Sequence, residues 1–323
     1  AICLKVGDGV VLGTDSAASL IGENERYFNV YNTAEKTFNL VKGLPIGMMT
    51  FGLGGMAGLS IGALARDLRK RLSGEDPRFP EWALDPHSYT IEQVAHRVKQ
   101  FFYDELYQDV FGPIPVHRAA EHAPGSDAAR LGDDENAGGS GQAESVPAEE
   151  PGRPADDEVE GTPGELVPEF PVLGFVVAGI SAQDYYTEVW TVQINEGRCD
   201  GPTREYERTV AGVVNFWGEA EALYRLVYGW SPEAQQRLVS AGVPPETADR
   251  FLVSRTELAH TGMPIQDAID LVRYLAEVTV GYVRFKQGAP TVAPPIDIAA
   301  ITRHQGFKWV SRKHFYSQEL NPG

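Results

Sequence analysis

Cysteine is scarce in this 323-residue chain, which has only Cys3 and Cys199. That excludes a disulfide-stapled scaffold and makes a reducing cytoplasm the expected compartment. Positive charge is short as well, with 28 Lys and Arg against 45 Asp and Glu for a formal net charge of −17. No basic stripe is present to neutralise phosphates, so nucleic acid is not an expected partner. No apolar run approaches the roughly 18 residues that a membrane-spanning helix needs, so the chain is expected to be soluble and off the membrane. The opening residues read as strand, not as a secretory leader. The seven histidines include no HExxH spacing and no Cys/His cluster, and no GxSxG elbow occurs, so neither a metal site nor a serine-hydrolase elbow has support. No cofactor is implied.

The acidity is local. Residues 121–169 hold 14 acidic side chains against 2 basic ones, which is −12 of the −17 and leaves −5 for the rest. No Phe, Trp or Tyr occurs between Phe111 and Phe170. Such a stretch buries too little apolar surface to offset its ordering entropy, so residues from about 113 to 169 are expected to form a disordered acidic insertion on the surface. A solvated loop is its plain reading, and a tail for a basic partner is the other. A hydrophobic content of 42% suffices for a packed core, and the chain reads as one domain, 1–323, interrupted by this insertion.

Outside the insertion, strands and helices come in blocks. Ile2 to Val6 and Val10 to Asp15 alternate well enough to pair as a hairpin around Gly7, Asp8 and Gly9. A third strand is headed by Lys36, and a fourth, Leu44 to Phe51, runs into Gly52-Leu53-Gly54-Gly55. Helices are expected from about Ala57 to Leu72 and from Thr90, where Thr90 and Gln93 have capping-box spacing. Strands resume at Val172 to Ile180, Tyr185 to Ile194 and around Val210 to Phe216. Helices follow at Glu219 to Tyr228, Pro232 to Ser240, Glu246 to Leu258 and Ile265 to Phe285, then strands at Ile296 to Ile301 and Phe307 to Val310. Blocks of this kind predict an α+β fold with antiparallel sheets under outer helices, not a parallel βαβ sheet.

Three chemically interesting features sit at strand ends: Asp15, Lys36 and the glycine turn. Each has a bland reading, since an Asp at a strand end usually shapes a turn and a Lys usually coats the surface. The turn also matches a GxGxxA dinucleotide fingerprint over 52–57. That fold needs a parallel strand after the following helix, and Ser73 to Pro80 offers turn signals with no strand behind them.

Taken in order, GVVLGTDS at 9–16, AEKTFNL at 34–40 and IGMMTFGLGGMAG at 46–58 resemble the proteasome β-subunit family and its bacterial relatives, which are N-terminal nucleophile hydrolases. The resemblance extends more weakly through VVAGIS and the closing helix and strand from Pro264 to Ile301. It implies a four-layer αββα sandwich of two antiparallel sheets. It also implies that Asp15 orients a catalytic lysine, that Lys36 is that lysine, and that the amide of Gly52 or Gly54 donates to an oxyanion. In such enzymes a hydroxyl on residue one is activated by its own α-amine, a base with a reference pKa of about 8. A charged lysine beside it lowers the hydroxyl's pKa.

The chain departs from the family's pattern at three points. The nucleophilic threonine of the family lies sixteen residues before the aspartate, whereas fourteen precede Asp15, so the nucleophile falls two positions upstream of Ala1. The spacing from Lys36 to Gly52 is about two residues long, which suggests an extended hairpin around Lys42 to Pro45. The later Asp and Ser that assist the terminal amine map near Pro290 and Ala293, where neither residue type stands.

The resemblance implies a threonine-type peptidase acting on peptides or unfolded proteins, assembled into a homo-oligomeric ring, with a regulatory ATPase as a candidate partner. A small-amide amidohydrolase of the same fold and a catalytically inactive scaffold subunit are the alternatives.

Overall fold

The computed structural model describes residues 1–21, 27–112, 170–250, 256–288 and 290–314. These fall in a unit formed by Ala1–Pro113 and Phe170–Gly323. The segment expected as an acidic insertion, 113–169, lies outside the described residues.

The expected N-terminal hairpin is present: β1 (Ile2–Val6) and β2 (Gly9–Thr14) pair antiparallel, with Ile2 opposite Gly13 and Val6 opposite Gly9. A short ribbon, β3 (Ala18–Ile21) with β4 (Tyr27–Tyr31), follows it. Then come β5 (Thr37–Asn39) and β6 (Ile46–Gly52), joined by the turn that sequence spacing had lengthened at Lys42 to Pro45. Strands β9 (Leu173–Ile180), β10 (Thr187–Ile194), β11 (Thr203–Arg204) and β12 (Val213–Phe216) come after the segment 113–169, and β13 (Asp297–Thr302) and β14 (Gly306–Ser311) are the last strands among the described residues. One sheet runs β12-β1-β2-β13-β14 and the other β11-β10-β9-β6-β5, antiparallel at every pairing. The fold is therefore mixed α+β with two large antiparallel sheets. Because β6 pairs antiparallel with both β5 and β9, the dinucleotide-binding alternative is excluded: its glycine turn must leave a parallel strand.

The alternation of side chains along β1 and β2 decides what each sheet touches. Cys3, Val10 and Leu12 face Met49, Phe51, Val176 and Val189 of the second sheet, joining the two sheets in one core cluster. Ile2, Leu4, Val6 and Val11 face the other way, onto α4 (Glu221–Tyr228) and α7 (Ile265–Phe285). The outer face of the second sheet is covered by α1 (Ile61–Leu72) and α2 (Ile91–Lys99) with the π-helical turns Gln100–Tyr107 that prolong it, α3 (Gln108–Phe111) ending the element. Leu4, Leu12 and Phe175 are wholly buried, each such side chain contributing about 1.5–3 kcal/mol relative to exposure. Gly13 permits the close approach of α7 to β2, since a β-carbon there would meet the Val272 side chain.

Some boundaries differ from the sequence expectation for local reasons. The first helix starts at Ile61, not Ala57, because Gly55–Met56 and Leu59–Ser60 form a two-residue ribbon, β7 and β8, turned by Ala57 and Gly58 at positive φ. Ser60 then caps α1 by accepting from Ala63 N–H. Thr90 caps α2 as expected, accepting from Gln93 N–H at 3.0 Å. Strand β10 starts at Thr187 because the Asp184 carboxylate accepts from the N–H groups of both Tyr185 and Tyr186, turning the chain there. Helix α5 (Pro232–Ser240) is as expected, while α6 (Pro245–Arg250) does not reach Leu258, as Thr256 N–H is drawn to Val227 O at 2.7 Å. Among the described residues no helix is long and apolar enough to cross a membrane.

Candidate active site

Asp15 is the first residue beyond β2 and Lys36 the last before β5, so each is held by the end of a strand in a different sheet. The structure brings them together: Lys36 Nζ donates to Asp15 Oδ1 at 2.8 Å. The other carboxylate oxygen, Oδ2, accepts from Ala17 N–H at 2.9 Å. Both of its oxygens are thus occupied and the carboxylate cannot rotate freely. The strands behind the pair are tied by Thr14 Oγ1 and Thr37 Oγ1 at 2.9 Å, a buried contact across the two sheets. Lys36 O also accepts from Thr50 N–H at 2.8 Å, which locks the lysine's backbone to β6.

A cleft of about 230 Å³ opens beside this pair, lined by Ala1, Asp15, Gly52, Trp217, Glu219 and Thr291 among others. Phe51 and Trp217 stack at 6.0 Å between ring centroids on one wall. Ala1 continues the β1–β12 ladder, donating to Trp217 O at 3.0 Å and accepting from Trp217 N–H at 2.9 Å.

Gly52 and Gly54 part company. Gly52 lines the cleft and has φ of 86°, a conformation that glycine adopts without steric cost. Gly54 is not among the cleft-lining residues and spends its carbonyl on Ile61 N–H at 3.1 Å. A β-carbon at Gly52 would run into the Val172 carbonyl. Gly52→Ala is accordingly expected to lower stability by about 1–3 kcal/mol, measured by urea unfolding; a loss under about 0.5 kcal/mol would show that the β6 end yields freely.

Sequence reasoning missed a second ion pair directly behind Asp15. Lys313 donates through Nζ to Asp297 Oδ2 and, at 2.7 Å, to Ser16 Oγ, while its backbone N–H reaches Asp297 Oδ1 at 2.9 Å. Ser16 Oγ donates in turn to Pro295 O. Lys313 and Asp297 side chains are only 6% and 2% exposed, so this pair is buried where the Asp15–Lys36 pair is partly wet. Ser16 next to a lysine invites comparison with a serine–lysine dyad. Its hydroxyl is wholly buried and its proton is committed to Pro295 O, so substrate has no approach to it. Cys3 is buried too, and burial pushes its thiol up, away from the reactive thiolate.

Near Pro290 and Ala293, the Ala293 carbonyl accepts from Ser16 N–H at 3.0 Å, and Thr291 between them lines the cleft. Among the described residues no three His, Cys, Asp or Glu side chains are grouped to hold a metal ion. Neither the models of known protein families nor the curated protein sequences match this chain. The site is therefore read from its own geometry.

Proposed function

We propose that the chain is an N-terminal nucleophile hydrolase resembling proteasome β-subunits, a four-layer αββα sandwich that cleaves peptide amide bonds with a hydroxyl two positions before Ala1. The observation that carries this reading is the Asp15–Lys36 pair at the open end of the β1–β2 hairpin. That hairpin pairs Ile2 with Gly13. Continuing the register backward sets the position before Ala1 opposite Asp15 and the next one opposite Ser16, with about 3.3 Å of rise per residue. On the other side, the ladder through Ala1 and Trp217 continues toward Gly218 and Glu219, which line the cleft. A side chain two positions upstream of Ala1 thus belongs beside the Lys36 ammonium.

Each residue then has a task. The α-amine of the nucleophilic residue takes the hydroxyl proton as the oxygen attacks the amide carbon. Lys36, aimed by Asp15, favours the developing alkoxide by its charge. The amide of Gly52 donates to the oxyanion, an effect worth on the order of 3 kcal/mol per donor. The proton passes to the leaving amine, and water then releases the acyl group from the enzyme. Peptide or unfolded-protein substrates go with assembly of copies into a ring that hides the site from folded proteins.

The test uses the encoded protein with every residue that precedes Ala1 after maturation, treated with an electrophile that traps a hydroxyl beside an α-amine. Intact-mass analysis is expected to show one adduct on an N-terminal Thr, or on Ser or Cys. An unmodified chain beginning with such a residue would overturn the enzyme reading. A gene with no hydroxyl or thiol residue at that position would leave the scaffold reading, and turnover of small amides by a monomer would favour the amidohydrolase.

A further inference from the structure

One charged patch is not used by this chemistry. Glu35, next to Lys36, receives guanidinium groups from two different elements: Arg66 on α1 and Arg312 just beyond β14, the latter at 3.4 Å. Arg69 stands three residues after Arg66 on α1, hence on the same helix face. Among the described residues its Nε is buried without a hydrogen-bond partner. Burial and the neighbouring Arg312 and Arg66 hold its pKa below the usual arginine value, with Glu35 and, less strongly, Glu75 pulling the other way. Glu75 is exposed and makes no hydrogen bond with Arg69, so solvent screens it.

Three guanidinium groups against the one carboxylate among them leave a local charge of +2 in a chain whose net charge is −17. A buried donor without a partner is rare and marks a place where a water or an ion belongs. Guanidinium presents its donors as a planar fork that fits the paired oxygens of a phosphoryl group or a carboxylate. A single carboxylate would neutralise half of the excess charge, whereas a phosphoryl dianion matches it. Access does not require the core to open, because Arg69 is itself only partly buried and the Arg66 and Arg312 side chains, 54% and 45% exposed, can swing toward a ligand beside it.

We propose that Arg66, Arg69 and Arg312 form a binding site for a phosphoryl dianion, supplied either as free phosphate or as a phosphomonoester. This rests on the cluster's own geometry and not on the hydrolase reading. Binding gives Arg69 Nε its missing acceptor and shares Arg66 and Arg312 between Glu35 and the ligand.

The test is thermal unfolding of the purified chain with increasing inorganic phosphate or a nucleoside monophosphate, with acetate and chloride as controls at constant ionic strength. A saturable rise in melting temperature is expected with the phosphoryl compounds alone. Affinity is expected to fall by about tenfold or more in Arg69→Met and in Arg312→Met, each of which removes one fork. Arg69→Lys, which keeps the charge but not the fork, is expected to recover only part of the loss. Tighter binding of inorganic phosphate identifies the free anion as the ligand, and tighter binding of the monophosphate identifies an ester. Equal stabilisation by acetate or chloride would overturn the proposal, as would unchanged phosphate affinity in both methionine variants. Should one variant fail to fold, the other decides.

Discussion

Asp15→Asn is expected to lower the proposed turnover of peptide amides by the full-length chain on the order of 10³-fold or more, as when the orienting carboxylate of other nucleophilic sites becomes an amide. Asp15 uses its oxygens separately, Oδ1 for Lys36 and Oδ2 for Ala17 N–H. Asparagine has one acceptor oxygen and one donor nitrogen, so it serves only one of these partners and sets N–H against N–H at the other. If the oxygen stays with Ala17, the amide donor faces the Lys36 ammonium. The lysine then loses both its aim and its ion-pair partner. The cost to folding is expected to be small, about 1 kcal/mol, because the pair is partly exposed at 20% and 11% and solvent screens it. Peptide hydrolysis and urea unfolding measured on the same preparation separate the two effects. Activity within about threefold of the parent would leave Asp15 a turn former.

The elements that sequence reading located well are those specified by their own residues. Helix α7 and helix α5 carry apolar spacing and clear ends, and Thr90 announces its helix by a side chain that reaches three residues ahead. The β1–β2 hairpin was legible for the same reason, since a two-residue turn fixes its register. What stayed hidden depends on partners far along the chain. Lys313 and Asp297 are separated from Ser16 by 297 and 281 residues of sequence numbering, and nothing near either residue signals that they meet. Their meeting depends on β13 lying between β2 and β14, and on an irregularity between Ile298 and Ala299 that shifts the β13–β14 register by one residue. A bulge of this kind re-aims the side chains beside it. The Asp15–Lys36 contact also joins two sheets, yet it was legible because Asp15, Lys36 and the glycine turn each stand at a strand end and gain meaning together. The Arg66, Arg69 and Arg312 cluster stayed hidden for the same reason as Lys313 and Asp297: Arg66 and Arg69 look like ordinary helix-surface residues until Arg312 arrives with β14.

Lys313→Met is expected to lower stability by about 3–5 kcal/mol, the range for removing one partner of a buried ion pair. Methionine keeps the length and apolar stem of lysine, so the loss reports the ammonium and not a cavity. Without it, Asp297 Oδ2 is left charged and unpaired at 2% exposure, and Ser16 Oγ loses a donor. Combining Lys313→Met with Asp297→Asn removes the charge from both sides and is expected to recover most of the loss, because replacing an entire buried pair by neutral groups costs far less than splitting it. The remaining cost belongs to the backbone N–H of Lys313, whose acceptor becomes an amide oxygen in place of a carboxylate. Urea unfolding of the two single variants and the double variant gives the coupling free energy directly. A single-variant loss below about 1 kcal/mol would mean that water reaches Asp297 and that the pair is not closed. The pair holds the segment after β14 against Ser16, the residue next to Asp15, so splitting it is expected to loosen the carboxylate that aims Lys36. A drop in hydrolysis larger than the unfolded fraction explains would trace that connection, and activity proportional to the folded fraction alone would confine Lys313 to stability.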